Sequence, residues 1–411
     1  MNNLQRVVRA GSRRYLTPNI PAAGINPTQL FFRACDPSVA ACELDRAVYI
    51  RYGNPTVAET ERAIAAMEHP DRAFAALTAS GMAAIDVALS AFQTPDAGRG
   101  RPWLFPSELY GGTLHFVTEI LRGSRGVPAV FIDVDAVPAE RLTEHFVAKI
   151  RELRPPVVFI EPISNPRLFV LDIAAVAEAA QLVGSILIVD NTFATPLLVK
   201  PLMLGAHLVV HSATKYLAGH GNITAGVVCG LTGALLPAHV PRRGTDGTIE
   251  ARIRAHIKGA GPVLSPRDAF ELGTQLKTFT LRVRASNANA ARLASLFVAY
   301  PKIEQVLYPG LPDSPSHATA LRNFGNSGCF GAVVTVELAE TGSAERLMHA
   351  LEPAGIRCRL TLGDTETTLF AVKEVFGAER FGNHPEMLRV SVGIESWEDL
   401  EEAFSHGLSQ T

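Results

Sequence analysis

Lys215 lies five residues past the apolar run HLVV, in the stretch HSATKYLAGHGN, flanked by two hydroxyl residues. A lysine at a strand end in a dry pocket loses affinity for its proton and becomes a nucleophilic amine. Such lysines form Schiff bases with carbonyl compounds, pyridoxal 5'-phosphate (PLP) among them. That chemistry asks for three further things: a carboxylate for a pyridinium nitrogen, donors around a phosphate, and an aromatic face for the ring. Asp190, 25 residues earlier in VDNTFATP, has the type and place for the first. Gly81 and Met82 in TASGMAAID can offer backbone N–H groups at a helix start, and Ser212 and Thr214 can offer hydroxyls. Tyr110 in LYGGT can offer the ring.

Each residue alone has a plainer reading. A lone lysine is more often structural or on the surface. Asp190 is as easily a helix cap or a loop hydrogen bond, and small residues before a helix are common. A further cluster, Glu161, Ser164 and Asn165 in IEPISNP, also ends a buried run. Ligands of open α/β sheets collect at the carboxyl ends of strands, and five polar clusters at that edge outweigh the plainer readings. The candidate site is therefore a PLP site.

The elements that must carry these residues are legible as pattern. AFAALTAS, PAVFIDV, PVVFIEPI, ILIVDNTF and HLVVHSAT read as strands. Helical stretches lie among them: NPTVAETERAIAAMEH, with Asn54 as N-cap and Pro55 at the first helical position, and DIAAVAEAAQLVG, ending at Gly184. Continuous apolar strands separated by helices predict an α/β fold, a mostly parallel sheet covered on both faces. The last 150 or so residues combine longer helical patterns with GAVVTVEL and LRVSVGI and read as a smaller α/β domain. SWEDLEEAFSHGL closes the chain with a capping-box variant at Ser396 and Asp399.

With 411 residues, 47% hydrophobic, the chain supports a large core, and a net charge of −2 gives no cause to expect nucleic acid or an anionic membrane as partner. Five scattered cysteines without a CxxC pair argue against a disulfide framework or zinc and fit a reducing, cytoplasmic setting. No apolar run reaches the ~18 residues of a membrane span. Residues 1–35 carry five arginines and no acid, a composition shared with transit peptides, although an N-terminal arm is the expectation here.

YIRYGNPT, ASGMAAID, LYGGT, EPISNP, VDNTFATP, HSATKYLAGHGN and LRVSVGIE together resemble the γ-family of PLP enzymes of cysteine and methionine metabolism, from about residue 47 onward. That family holds cystathionine γ-synthase, cystathionine lyases, methionine γ-lyase and O-acylhomoserine sulfhydrylases. The resemblance implies PLP fold type I, with an arm over 1–46, a large PLP domain over 47–250 and a small domain over 251–411. It implies Lys215 as Schiff-base lysine, Asp190 on the pyridine nitrogen, Tyr110 on the ring, and Gly81, Met82, Ser212 and Thr214 on the phosphate. Tyr49 and Arg51 match a pair that reaches a neighbouring subunit's phosphate. Asn165 and Arg389 match the holders of the substrate carboxylate, with Thr361 beside them. The activity implied is γ-elimination or γ-replacement on a γ-substituted amino acid, through a vinylglycine-type intermediate, as in trans-sulfuration. The assembly implied is a homodimer with shared sites, usually paired into a tetramer.

The motifs are nearest to methionine γ-lyase, but residues on the substrate side depart. Gly112 replaces that branch's cysteine, Ile50 a Ser or Thr, Thr361 a Ser, Ser286 a His, and FAVKEVFG stands in place of HPASMTH. The segment 231–261 is about a dozen residues longer than the pattern and carries Arg242 and Arg243. These departures leave open a bulkier donor such as S-adenosylmethionine and a carbon–carbon bond-forming replacement with a non-thiol nucleophile. Outside the family, an aminotransferase of the same fold would share the lysine and aspartate but lacks YxRxxNPT and LYGGT. A PLP-binding regulator would need a fused DNA-binding module, and the arm shows no convincing helix-turn-helix; a Rossmann enzyme would need GxGxxG, which SGMAAID does not supply.

Overall fold

The computed structural model describes residues 50–93, 100–237, 240, 242 and 247–411. The expected arm over 1–46, and Tyr49, lie outside the described residues. The first sheet has seven strands: β1 (Ala73–Thr78), β2 (Trp103–Pro106), β3 (Ala129–Ile132), β4 (Val157–Ile160), β5 (Ile186–Asp190), β6 (Leu208–Ser212) and β7 (Gly226–Leu231). Their spatial order is β1-β7-β6-β5-β4-β2-β3, with β7 antiparallel to both neighbours and the other pairs parallel. The central strands β4 and β5 are buried throughout, which is why they read as unbroken apolar runs rather than as alternation.

Helices cover both faces. On one side lie α1 (Pro55–Glu68), α4 (Leu142–Leu153) and α5 (Ile173–Val183), and on the other α2 (Gly81–Ser90); the short α3 (Gly111–His115) follows Tyr110. Asn54 caps α1 as expected, its Oδ1 accepting from Thr56 N at 2.9 Å. α5 ends at Gly184 in the left-handed conformation, φ 73°.

β2 and β7 were not legible as strands. β2 is only four residues, WLFP, and β7 carries two glycines that dilute its apolar pattern. Gly226 is there because a Cβ would lie 2.0 Å from Ser80 O, so only glycine lets β7 run past the start of α2.

The chain then passes through α6 (Ile249–Ala260), α7 (Pro266–Gln275) and the 20-residue α8 (Phe279–Val298) into a smaller domain. Its sheet, in the order β10-β11-β12-β9-β8, contains β8 (Ile303–Leu307), β9 (Val333–Leu338), β10 (Arg357–Cys358), β11 (Thr368–Ala371) and β12 (Met387–Ser391). α9 (Trp397–Ser409) closes the chain, and Ser396 Oγ caps it by accepting from Asp399 N at 3.2 Å. The two domains meet at the carboxyl edge of the large sheet. Thr335 Oγ1 in β9 donates to Pro166 O at 2.7 Å, and Arg389 in β12 reaches Asn165.

Candidate active site

A cavity of about 240 Å³ opens between the domains at that edge. Its polar lining comes from successive strand ends and from β12: Ser80, Glu161, Asp190, Ser212, Lys215 and Arg389. Gly81, Met82, Tyr110, Asn165 and Thr214 also line it. Residues spread over 300 positions of sequence thus share one space.

Lys215 sits in a tight turn after β6. Its N–H donates to Ser212 O at 3.1 Å, and its carbonyl accepts from Gly219 N at 2.7 Å. Its ammonium donates to Thr361 Oγ1 at 3.0 Å. Burial, and then the nearby Arg389 cation, push its pKa below the usual lysine range. Arg282 grips the turn from α8, donating from Nη1 to Tyr216 O at 3.0 Å and from Nη2 to Leu217 O at 3.2 Å. Burial lowers this guanidinium to about 10.

Asp190 ends β5 with one oxygen engaged: Oδ1 accepts from Thr192 Oγ1 at 2.5 Å and from Thr192 N at 3.1 Å. Among the described residues, Oδ2 accepts no hydrogen bond. Burial raises the carboxyl, against the pull of the Thr192 hydrogen bonds and of His211. Glu161, one strand over, accepts from Tyr110 N at 2.8 Å. Burial, then the Asp190 carboxylate, hold Glu161 well above the ordinary range. Tyr110 itself is half exposed at the cavity mouth.

α2 starts at the cavity wall. Ser80 caps it through Ala83 N, leaving the Gly81 and Met82 N–H groups without intrahelical partners. A Cβ on Gly81 would lie 2.7 Å from Ser212 Cβ, so this approach of helix to strand requires glycine. Thr214 lines the cavity, but its hydroxyl is tied to Ala225, donating to O at 3.2 Å and accepting from N at 2.9 Å.

Arg389 is buried. Nη1 donates to Asn165 Oδ1 at 3.1 Å and Nη2 to Thr361 O at 2.9 Å, while Nε has no partner. Burial lowers its pKa to about 10. A buried guanidinium that lines a cavity and has no carboxylate partner among the described residues is suited to an anion.

Two sequence-derived candidates fall outside the cavity lining. Thr361 stands beside it, accepting from Lys215 Nζ through its hydroxyl and from Arg389 through its carbonyl. Arg51 turns to α6, donating to Lys258 O and to Tyr52 Oη, the latter at 3.3 Å. The described residues of 231–261 pack against the outer helices and β1, and none lines the cavity; Ile249, Ile253 and Ile257 are buried there, and Arg252 Nε donates to Ala91 O at 2.6 Å. The described residues of this segment therefore do not widen this chain's own entrance.

Thr192 and Arg282 were missed. Thr192 had a local signal, since a hydroxyl residue two positions after an aspartate is the pattern of an Asx turn. Its Oγ1 also accepts from Ser212 N at 2.8 Å, joining two strand ends. Arg282 had none, because its partners are carbonyls 65 and 66 residues away.

The lysine, the half-free aspartate, the glycine cradle at a helix start and the open arginine together fit PLP and an amino-acid carboxylate. The fold agrees. The structure superposes on cystathionine γ-synthase from Xanthomonas oryzae in complex with aminoacrylate and cysteine with TM-score 0.82, at 30% identity, covering 100% of this chain and 98% of the other. It superposes on a methionine γ-lyase from Micromonospora echinospora with TM-score 0.80, at 29% identity and 99% of both chains. This is a PLP-dependent enzyme of fold type I. Residues 6–409 match the family model of Cys/Met metabolism PLP-dependent enzymes, and the chain belongs to that family. It is 34% identical to O-succinylhomoserine sulfhydrylase of Pseudomonas aeruginosa, over 98% of this chain and 94% of the relative. It is 33% identical to L-methionine γ-lyase of Fusobacterium nucleatum, over 88% and 86%. Its chemistry is γ-elimination or γ-replacement; carbon–carbon bond formation with a bulky donor is not favoured by these relatives.

Proposed function

We propose that the cavity binds the α-carboxylate of a γ-substituted amino acid on Arg389 and Asn165 and works on its α- and β-carbons with Lys215. The observation that carries this reading is a buried arginine, Arg389, with no ion-pair partner among the described residues, lining the same cavity as a lysine of depressed pKa. PLP, held covalently by Lys215, supplies the electron sink that makes those carbons acidic.

The chain's residues then divide the work. Once the substrate's amine has taken its place on the cofactor, the released Lys215, with its lowered pKa, would serve as the base for the α-proton, and its flexible stem would let it reach the β-carbon. Asp190 Oδ2 keeps the ring nitrogen protonated. Gly81 and Met82 N–H groups, with Ser212 and Thr214, take the phosphate; Thr214 must release Ala225 to do so. Tyr110 packs on the ring, its backbone fixed by Glu161, and exchanges a proton with the leaving group. Thr361 parks the Lys215 ammonium.

Arg51 and Tyr49 act across a subunit interface in a homodimer with shared sites, paired into a tetramer and working in the cytoplasm. The donor's outer arm meets an apolar rim that includes Leu360 and Phe193. The domain limits proposed are 47–250 and 251–411.

The test is a donor panel. PLP-loaded protein is offered methionine, cystathionine, homocysteine, O-acetylhomoserine, O-succinylhomoserine and S-adenosylmethionine, with visible spectra and products recorded. Release of 2-oxobutanoate from one donor identifies a lyase. A coloured species that is discharged only by an added thiol identifies a replacement enzyme. No spectral change with any donor sinks the reading.

A further inference from the structure

The segment that replaces HPASMTH contains two phenylalanines, Phe370 and Phe376, which form a small core with Phe381 just beyond it. Phe370, Val372, Phe381 and Met387 are buried together, with Phe376 packed against them. Phe370 and Phe376 rings lie 6.2 Å apart, and Phe376 meets Phe381 edge to face at 5.8 Å. At one end of this run stands the candidate carboxylate-binding arginine. Phe370 and Arg389 are cross-strand partners in the β11–β12 register, and the Arg389 guanidinium carbon lies 4.1 Å from the Phe370 ring centre.

The other end touches the large domain. Arg167 lies 6.0 Å from the Phe381 ring and binds Glu108, Nε to Oε2 at 2.6 Å, and Asp135, Nη1 to Oδ1 at 2.7 Å. Arg380 donates to Ser107 O at 3.1 Å. Ser107 and Glu108 lead directly into Tyr110, and Arg167 follows Asn165 by two residues. The aromatic run thus joins the arginine to both loops that face it.

Arg389 needs such a partner. Among the described residues it forms no ion pair, and burial of a cation with two hydrogen bonds is costly. An aromatic face offsets part of that cost without occupying an N–H donor of the guanidinium. A carboxylate in the same place would close the site instead.

We propose that Phe370 is a positioning residue: its ring holds the Arg389 guanidinium in place at the cavity wall, and the Phe370–Phe376–Phe381 run fixes that arginine relative to the Tyr110 and Asn165 loops. The proposal rests on the carboxylate reading of Arg389 given above.

The test uses PLP-loaded protein and two unreactive probes, L-norleucine and pentan-1-amine, which differ by the carboxylate. Binding of each is read from the visible spectrum. Phe370→Leu is expected to weaken norleucine about five- to thirtyfold and leave pentan-1-amine within twofold. Phe370→Tyr is expected to restore norleucine binding, and Phe370→Met, which fills the same space more adaptably, to resemble Phe370→Leu. Unchanged norleucine binding in both Leu and Met variants, or an equal loss for both probes, overturns the inference. Arg389→Lys separates the two claims. If it leaves the preference for norleucine over the amine intact, the carboxylate reading itself fails; if it abolishes the preference while Phe370→Leu does not alter it, only the inference on Phe370 fails.

Discussion

Gly81→Ala puts the cofactor cradle to a direct test. The added Cβ would lie 2.7 Å from Ser212 Cβ and 2.9 Å from its Cα and Oγ. Carbon atoms rest at about 3.5–4.0 Å, so the shortfall is about 1 Å. β6 cannot yield easily: it is hydrogen-bonded between β5 and β7, and Ser212 N is held by Thr192. The start of α2 must move instead, taking the Gly81 and Met82 N–H groups with it. A shift of about 1 Å carries a hydrogen bond of about 2.9 Å beyond useful range. Hydrogen bonds to charged groups contribute about 1.5–3 kcal/mol each, so losing one weakens PLP about 10- to 100-fold. Overpacking costs about 1–3 kcal/mol, offset in part by alanine's better helix propensity of about 1 kcal/mol, so the variant is expected to fold. The assay strips the cofactor and titrates it back by absorbance, with Tm measured on the stripped protein. Gly111→Ala is the control, because a Cβ there meets nothing within 4 Å. If Gly81→Ala binds PLP within twofold of the parent, the argument that this helix start cradles the phosphate is wrong.

Three further outcomes are expected. Lys215→Ala should retain PLP only non-covalently and lose at least about a thousandfold in turnover; parental turnover would overturn the assignment of the base. Thr192→Val removes the hydroxyl that joins Asp190 Oδ1 to Ser212 N and should lower PLP affinity about tenfold with little change in Tm, measured by the same titration. Glu337, pushed up to about 7 by burial, prefers to be neutral in the folded state. Its contribution to stability is full below about pH 4.5 and is lost as pH rises through 7, so Glu337→Gln should flatten the fall in Tm between pH 5 and pH 8. The gain at pH 8 is expected at about 1 kcal/mol, limited because His384 stands 3.5 Å from Oε2; an unaltered pH profile would refute it.

The residues of the cofactor cradle were legible because each follows a recognisable strand in a local motif. Asp190 and Lys215 end β5 and β6, and the period and caps of α1 and α5 follow from nearest-neighbour rules. β7 was hidden because its glycines answer to Ser80 and Phe74 rather than to strand propensity. Its antiparallel direction is likewise a pairing property that no local pattern encodes.

What the sequence by itself determined was chemical type: a lysine, an aspartate, a glycine before a helix, an arginine in a late strand. The tertiary structure decided which donors were left over. Asp190 keeps one oxygen without a hydrogen bond among the described residues because Thr192 takes the other; Thr361 holds Lys215 through its hydroxyl and Arg389 through its carbonyl; and Arg389 is held by Asn165, Thr361 and Phe370. Thr361 reaches Lys215 across 146 positions and Asn165 reaches Arg389 across 224, so sequence neighbours do not announce these partners. Their satisfaction is a property of packing, and only packing reveals which polar atoms remain open to a ligand.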